Sequence, residues 1–176
     1  PQEKQYLKIS VSDGQGGQSG CDIHLGSANA NKVLARFLWQ IAQSQELTLA
    51  QIEGGNLRNA IPRAASAVIG VDKATKEAVR IAFNNYIADI EYEYAGIEPD
   101  MKLVLESAET PEYCIDNATA SKLINALYCA PHGVISMSRD LEGLVETSTN
   151  LASVKMLPNN EILVTTSQRS SVDSRK

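Results

Sequence analysis

A run of glycines between an alternating strand and an amphipathic helix constrains this chain more than any other feature. Gly14, Gly16, Gly17 and Gly20 crowd into one short turn. Glycine at that density lets the backbone turn tightly and approach another group with no Cβ in the way. Before the turn, Leu7, Ile9 and Val11 alternate with Tyr6, Lys8, Ser10 and Ser12, the period-two pattern of a half-buried strand. After it, Ala30, Val33, Leu34, Phe37, Leu38 and Ile41 recur at helical spacing. That spacing predicts a helix from about Ser27 to Gln43, capped by Ser27 or Asn29. The loop from Gly16 to His24 carries Gln18, Ser19, Asp22 and His24. Polar side chains on a loop held by a scaffold are where function tends to sit.

The remaining chain reads as strands in neighbouring pairs with helices between them. Leu47 to Glu53 predicts a short strand ended by Gly54-Gly55, and Ala65 to Val71 a strand of small and β-branched residues. Between them, Pro62 cannot donate to a ladder and favours an edge or a strand entry. Asp72 suits the N-cap of a second helix whose buried stripe is Val79, Phe83, Tyr86, Ile87, Ile90 and Tyr94, closed by Gly96. Met101 to Glu106 is a strand, and a third helix starts at Asn117 or Thr119 and breaks at Pro131-His132-Gly133. Val134 to Met137 is a short strand. Glu146 to Leu157 and Glu161 to Ser170 form a hairpin with Pro158-Asn159-Asn160 as its turn. The fold class expected is α+β: one domain over residues 1–176, an antiparallel or mixed sheet with about three helices on one face.

Composition removes several functions. The 176 residues are 43% hydrophobic and 21% charged, ordinary for a globular chain. No apolar run reaches the roughly 20 residues that span a bilayer, so no membrane partner is expected. The net charge of −5, with scattered Lys and Arg, argues against a surface that tracks phosphates, so no nucleic acid is expected either. Cys21, Cys114 and Cys129 form no CxxC and leave an odd count, which fits a reducing, cytoplasmic compartment with buried or idle thiols. The start at Pro1 without an initiating Met, and the stop just after a strong strand, lead us to expect a domain cut from a longer protein.

The catalytic vocabulary is thin. The two histidines, His24 and His132, lie far apart in the chain and belong to no HExxH-like cluster; both suit loop histidines with local hydrogen bonds. No GxSxG elbow, P-loop or GxGxxG leading into a helix is present. Two residues keep a second reading open. Asn59, between a glycine turn and a proline, is either a turn Asn bonding its own backbone or an amide donor to a ligand oxygen. Arg169, on a strand with Ile162, Val164, Thr165 and Thr166, is either a solvated edge charge or a fork for a carboxylate.

These stretches together resemble the aminoacyl-histidine dipeptidase family, dinuclear zinc metallopeptidases related to carnosinases. The resemblance runs through Gly-Gly-x-Ser-Gly-Cys-Asp-Ile-His at 16–24, Ala28 to Leu38, Leu57 to Arg63, Val145 to Leu151 and Arg169 to Ser174, in one order over nearly the whole chain. It implies a lid and dimerisation domain, with the zincs, their ligands and the catalytic glutamate on a separate catalytic domain of the same chain. It implies a homodimer and a dipeptide substrate of the Xaa-His type. It implies no metal site in this segment. The third loop position, Gln18 here, is a His in the family's pattern, an oxyanion-stabilising donor often supplied from the partner subunit. Asn59 and Arg169 match positions that hold substrate oxygens, the Arg taking the terminal carboxylate.

The departure at that position matters chemically. Gln18 donates an amide hydrogen bond but carries no charge and lends no proton. Losing an oxyanion donor typically costs about 10²–10³ in rate. His24 nearby is a conceivable substitute donor. An alternative follows from Gln18: a non-catalytic assembly or ligand-binding lid of a degenerate peptidase homologue.

Overall fold

The computed structural model describes residues 4–176; residues 1–3, with the Pro1 start discussed above, lie outside the described residues. In chain order the elements are β1 (Lys4–Ser12), α1 (Ala30–Ser44), β2 (Thr48–Gly54), β3 (Ala65–Asp72), α2 (Lys76–Glu93), β4 (Lys102–Ser107), α3 (Asn117–Cys129), β5 (Gly133–Met137), β6 (Val145–Met156) and β7 (Ile162–Ser170). Among the described residues, all seven strands join one sheet in the order β4-β1-β3-β2-β6-β5, with β7 also on β6. Every pairing is antiparallel. The expected α+β class, with three helices and an antiparallel sheet, is what forms.

The first half is two interleaved split βαβ units. β1 and β2 flank β3, while β3 and β4 flank β1, so α1 and α2 each bridge over one strand. The strand alternation read from the sequence sets the inner face: Leu7, Ile9 and Val11 are at most 2% exposed and share one core with Val33, Phe37 and Ile41 of α1. Burying each such side chain contributes roughly 1.5–3 kcal/mol. Phe37 meets Phe83 edge-on with centroids 5.0 Å apart, and Tyr86 lies 5.3 Å from Phe37. The Tyr86 hydroxyl donates to the Val33 carbonyl at 2.6 Å, and burial pushes this phenol well above its ordinary pKa. At the rim, Arg36 closes the α1–α2 seam by a two-pronged bond to Glu93, 2.8 and 2.6 Å.

The second half joins the first through the shared core, to which Ile124, Leu127, Leu151 and Val154 contribute, and through a few specific backbone and polar contacts. β2 and β6 share one register pair, Gly54 with Val154. A Cβ on Gly54 would overlap the Asn31 side-chain oxygen, and one on Gly55 (φ +71°) would overlap the Ala152 carbonyl oxygen. Glycine is therefore required where the two half-sheets meet. Asn29 caps α1, its side-chain oxygen accepting from Lys32 N at 3.2 Å, while its amide donates to Leu151 O at 2.9 Å and to Nδ1 of His132 at 3.0 Å. Lys32 in turn donates to the carbonyls of Leu127, Tyr128 and Ala130 at 3.0, 2.6 and 2.7 Å, capping the C-terminus of α3 with a cation. At its other end α3 starts at Asn117, one of the two starts expected, and Asp116 caps it: its carboxylate accepts from Thr119 N at 2.9 Å.

Two stability predictions follow from these junctions. Gly55→Ala must push backbone against backbone in a left-handed conformation, and denaturant unfolding should show a loss of at least about 2 kcal/mol. His132 is half-buried, and burial first, then the Lys32 charge, hold its imidazole down at about 4. The unfolded imidazole takes a proton near pH 6.5 while the native one stays neutral, so stability should fall as pH drops from about 6.5 towards 4. Urea unfolding at pH 7 and pH 5 should show that loss, roughly 1–3 kcal/mol. His132→Asn, which keeps an acceptor for the Asn29 amide, should flatten the slope.

Candidate functional site

The glycine loop is built against the Asn56–Arg63 segment by backbone pairing. Gly14 N donates to Arg63 O at 3.1 Å, Ile61 N to Gly17 O at 2.9 Å, and Ser19 N to Asn59 O at 2.9 Å. Gln18 and Ala60 form an antiparallel bridge. The glycines allow this approach: Gly16 and Gly17 take φ of +68° and +137°, and a Cβ on Gly17 would lie 2.9 Å from Cβ of Asp22. Asp22 closes the tip, its Oδ2 accepting from Gln18 N at 2.8 Å while its own N–H donates to Gln18 O at 2.8 Å. Ser19 is buried and Gln18 is exposed, so the loop turns its long amide outward.

Arg169 reaches the same place from β7. It pairs with Ser148 across the β6–β7 ladder. Its guanidinium lies over Gly20, where a Cβ would overlap Nη1. A side chain at position 20 would need the exposed Arg169 guanidinium to move aside. The three residues singled out from sequence, Gln18, Asn59 and Arg169, are thus all exposed and brought to the glycine loop, Asn59 by backbone pairing beside Gln18 and Arg169 by its contact with Gly20. Gln18 and Asn59 bond through their backbones, and among the described residues their exposed side-chain amides make no hydrogen bond. Such a cluster, two neutral amide donors and one guanidinium, can hold the oxygens of a small anionic ligand.

Two supporting residues were not legible beforehand. Asn150 on β6 is 1% exposed, and its amide donates to Arg58 O and Ala60 O at 3.3 and 2.8 Å, the carbonyls on either side of Asn59. Its Oδ1 has no partner among the described residues. An Asn in a strand interior is itself a signal, since the residue is depleted there unless it has a bond to make. It lies in a run, Thr147 to Asn150, that is buried throughout although polar. Glu98, between α2 and β4, is also buried and bonds backbone N–H groups at both ends of the glycine loop.

The histidines are placed elsewhere. His24 sits exposed in a short 3-10 turn, Ile23–Leu25, and His132 is engaged by Asn29. Among the described residues no three His, Cys, Asp or Glu side chains group as a metal ion would require, so these residues do not fit a dinuclear centre. Cys21, Cys114 and Cys129 are free and exposed, not buried as one reading of the sequence had it. Among the described residues no helix is long and apolar enough to cross a membrane.

The family model described as peptidase dimerisation domain matches residues 8–98. The chain is 36% identical over 172 residues to the cytosol non-specific dipeptidase of Escherichia coli (strain K12), covering 98% of this chain and 35% of the relative. The crystal structure of aminoacylhistidine dipeptidase from Vibrio alginolyticus superposes with a TM-score of 0.94 at 36% identity, over 99% of this chain and 35% of that one. A putative amidohydrolase/peptidase from Burkholderia cenocepacia is similar in fold alone, with a TM-score of 0.50 at 16% identity over 61% of this chain and 28% of that one. The chain thus spans about a third of the length of the relatives it matches most fully.

The contact between Gly20 and Arg169 is testable without any assay of activity. Gly20→Ala should cost about 1 kcal/mol of stability in the parent sequence and less than half of that when Arg169→Ala is already present. A double-mutant cycle from denaturant unfolding reads this coupling, and equal costs in both backgrounds would show that the guanidinium does not occupy the space.

Proposed function

The chain belongs to the peptidase dimerisation domain family, and from that premise we propose that it is the lid and dimerisation segment of a metal-dependent dipeptidase. Residues 1–176 form one domain of a longer protein whose catalytic domain carries the metal, zinc by the family resemblance. The longer protein hydrolyses a dipeptide of the Xaa-His type as a cytosolic homodimer, and this segment contributes contacts to the substrate's oxygens. Three exposed free thiols suit that reducing compartment.

The observation that carries this reading is the convergence of Gln18, Asn59 and Arg169 at the glycine loop, pinned by backbone pairing and by the Arg169–Gly20 contact. Each then has an oxygen to hold. Arg169 takes the substrate's terminal carboxylate, its planar fork matching two oxygens. Asn59 donates to a substrate oxygen and fixes the dipeptide's orientation. Gln18 donates to the oxygen on which negative charge develops during attack on the peptide carbonyl.

Gln18 also favours a second reading. A neutral amide in place of an imidazole stabilises the oxyanion less, so the lid serves assembly or ligand binding in a protein with little turnover.

The full-length protein, supplied with zinc or cobalt and assayed against Xaa-His dipeptides, separates the two. Turnover is expected, and none at high enzyme concentration would rule for the second reading. Gln18→His should raise kcat by about tenfold or more if this position faces the oxyanion. An unchanged kcat would remove that role from residue 18.

A further inference from the structure

The geometry points to Glu98 as the positioning residue of the glycine loop, a role that rests on the function proposed for Gln18. Glu98 follows the left-handed turn at Gly96 (φ +78°) and is 9% exposed. One carboxylate oxygen accepts from Gln15 N at 2.7 Å and the other from Ala28 N at 2.7 Å. These amides bracket the loop: Gln15 opens it, and Ala28 closes it one residue before the α1 cap at Asn29. Glu98 is remote in sequence from both, yet it sets the distance between the loop's two ends.

The chemistry suits a clamp more than a packing contact. A buried carboxylate needs compensation, and here both oxygens take it from backbone N–H groups in short, charge-assisted bonds. Such bonds are directional, so they fix where Gln15 and Ala28 sit as well as stabilising the carboxylate. Between those ends the loop is held by the pairing of Gly17 and Ser19 with Asn59–Ile61, by Asp22, by burial of Ile23 and by the Arg169 side chain over Gly20. Release of the Glu98 bonds frees the amides of Gln15 and Ala28, so the glycine segment that carries Gln18 loses its tie between the loop's two ends. A donor displaced by about 1 Å from its working position can cost as much as 10²-fold in rate. Glu98 therefore acts on the reaction through Gln18 without touching substrate.

Glu98→Gln keeps the shape but turns an N–H₂ group towards one of the two amide donors, so one bond is lost and the other kept. In the full-length protein, amide hydrogen exchange across Gln15–Ser19 should accelerate at least tenfold while β1 and β3 keep their protection. In the same variant, kcat for an Xaa-His dipeptide should fall about tenfold, with KM changed less than twofold. The fall should vanish in a Gln18→Ala background, since the clamp then has no donor to place. Unchanged loop exchange would overturn the proposal whatever the kinetics. Acceleration shared by β1 and β3, or a fall in kcat that persists without Gln18, would reduce Glu98 to a stabiliser of the fold and overturn it also. If the wild-type protein turns over no dipeptide, the function fails, and the exchange data still decide whether Glu98 holds the loop.

Discussion

Asn29 is the residue through which the parts of this molecule are referred to one another. Its side-chain oxygen caps α1, and its amide reaches both β6 and His132. One side chain thus fixes the start of the central helix, the first strand of the second half-sheet and the turn that leads into β5. It is 2% exposed, so an unmade bond here would leave a buried polar atom with no water to turn to. The glycine loop ends one residue before it, and the helix that follows supplies the core. Displacing Asn29 would move the loop, the helix and the ladder that carries Arg169 together.

The site is assembled by a division of labour between buried and exposed polar groups. Gln18, Asn59 and Arg169 are exposed and meet at the glycine loop, while Asn150 and Glu98 are buried and hold the backbone beneath them. The buried pair contacts only main-chain groups in the loops concerned, which is an efficient way to fix a glycine-rich segment that has few side chains of its own to pack. The guanidinium over Gly20 shows the same logic from the other side: the absence of a side chain makes room for one arriving from β7. Preorganisation of this kind is what lets uncharged donors count, because they need not be reoriented when charge develops.

Much of the fold could be read along the chain because its signals are local. Alternation in Tyr6–Ser12 gave β1, the Ala30–Ile41 stripe gave α1, and a short polar residue at Asn29 gave the cap. Asp72 caps as expected, although through a 3-10 turn that precedes α2. The start of α3 at Asn117 was also legible, but the Asp116 carboxylate that caps it was not. Nothing local marked the three cysteines as exposed. Of the site, Gln18, Asn59 and Arg169 stood out by their neighbours in sequence and by family resemblance. Glu98 did not, since a glutamate after a glycine turn looks like any solvated acid until its oxygens are seen to meet residues far away in the chain.

The sequence by itself determined the elements and their faces, since periodicity, caps and glycine turns act over a few residues and depend on little else. It also placed a neutral amide, Gln18, at the tip of the loop, which sets what that position can donate and what it cannot. Only the tertiary structure decided that this tip lies beside Asn59 and under the reach of Arg169, and that Glu98 and Asn150 hold it there. Those contacts join residues from opposite ends of the chain. They form only after burial has brought α1, β6 and β7 together, so no local pattern encodes them.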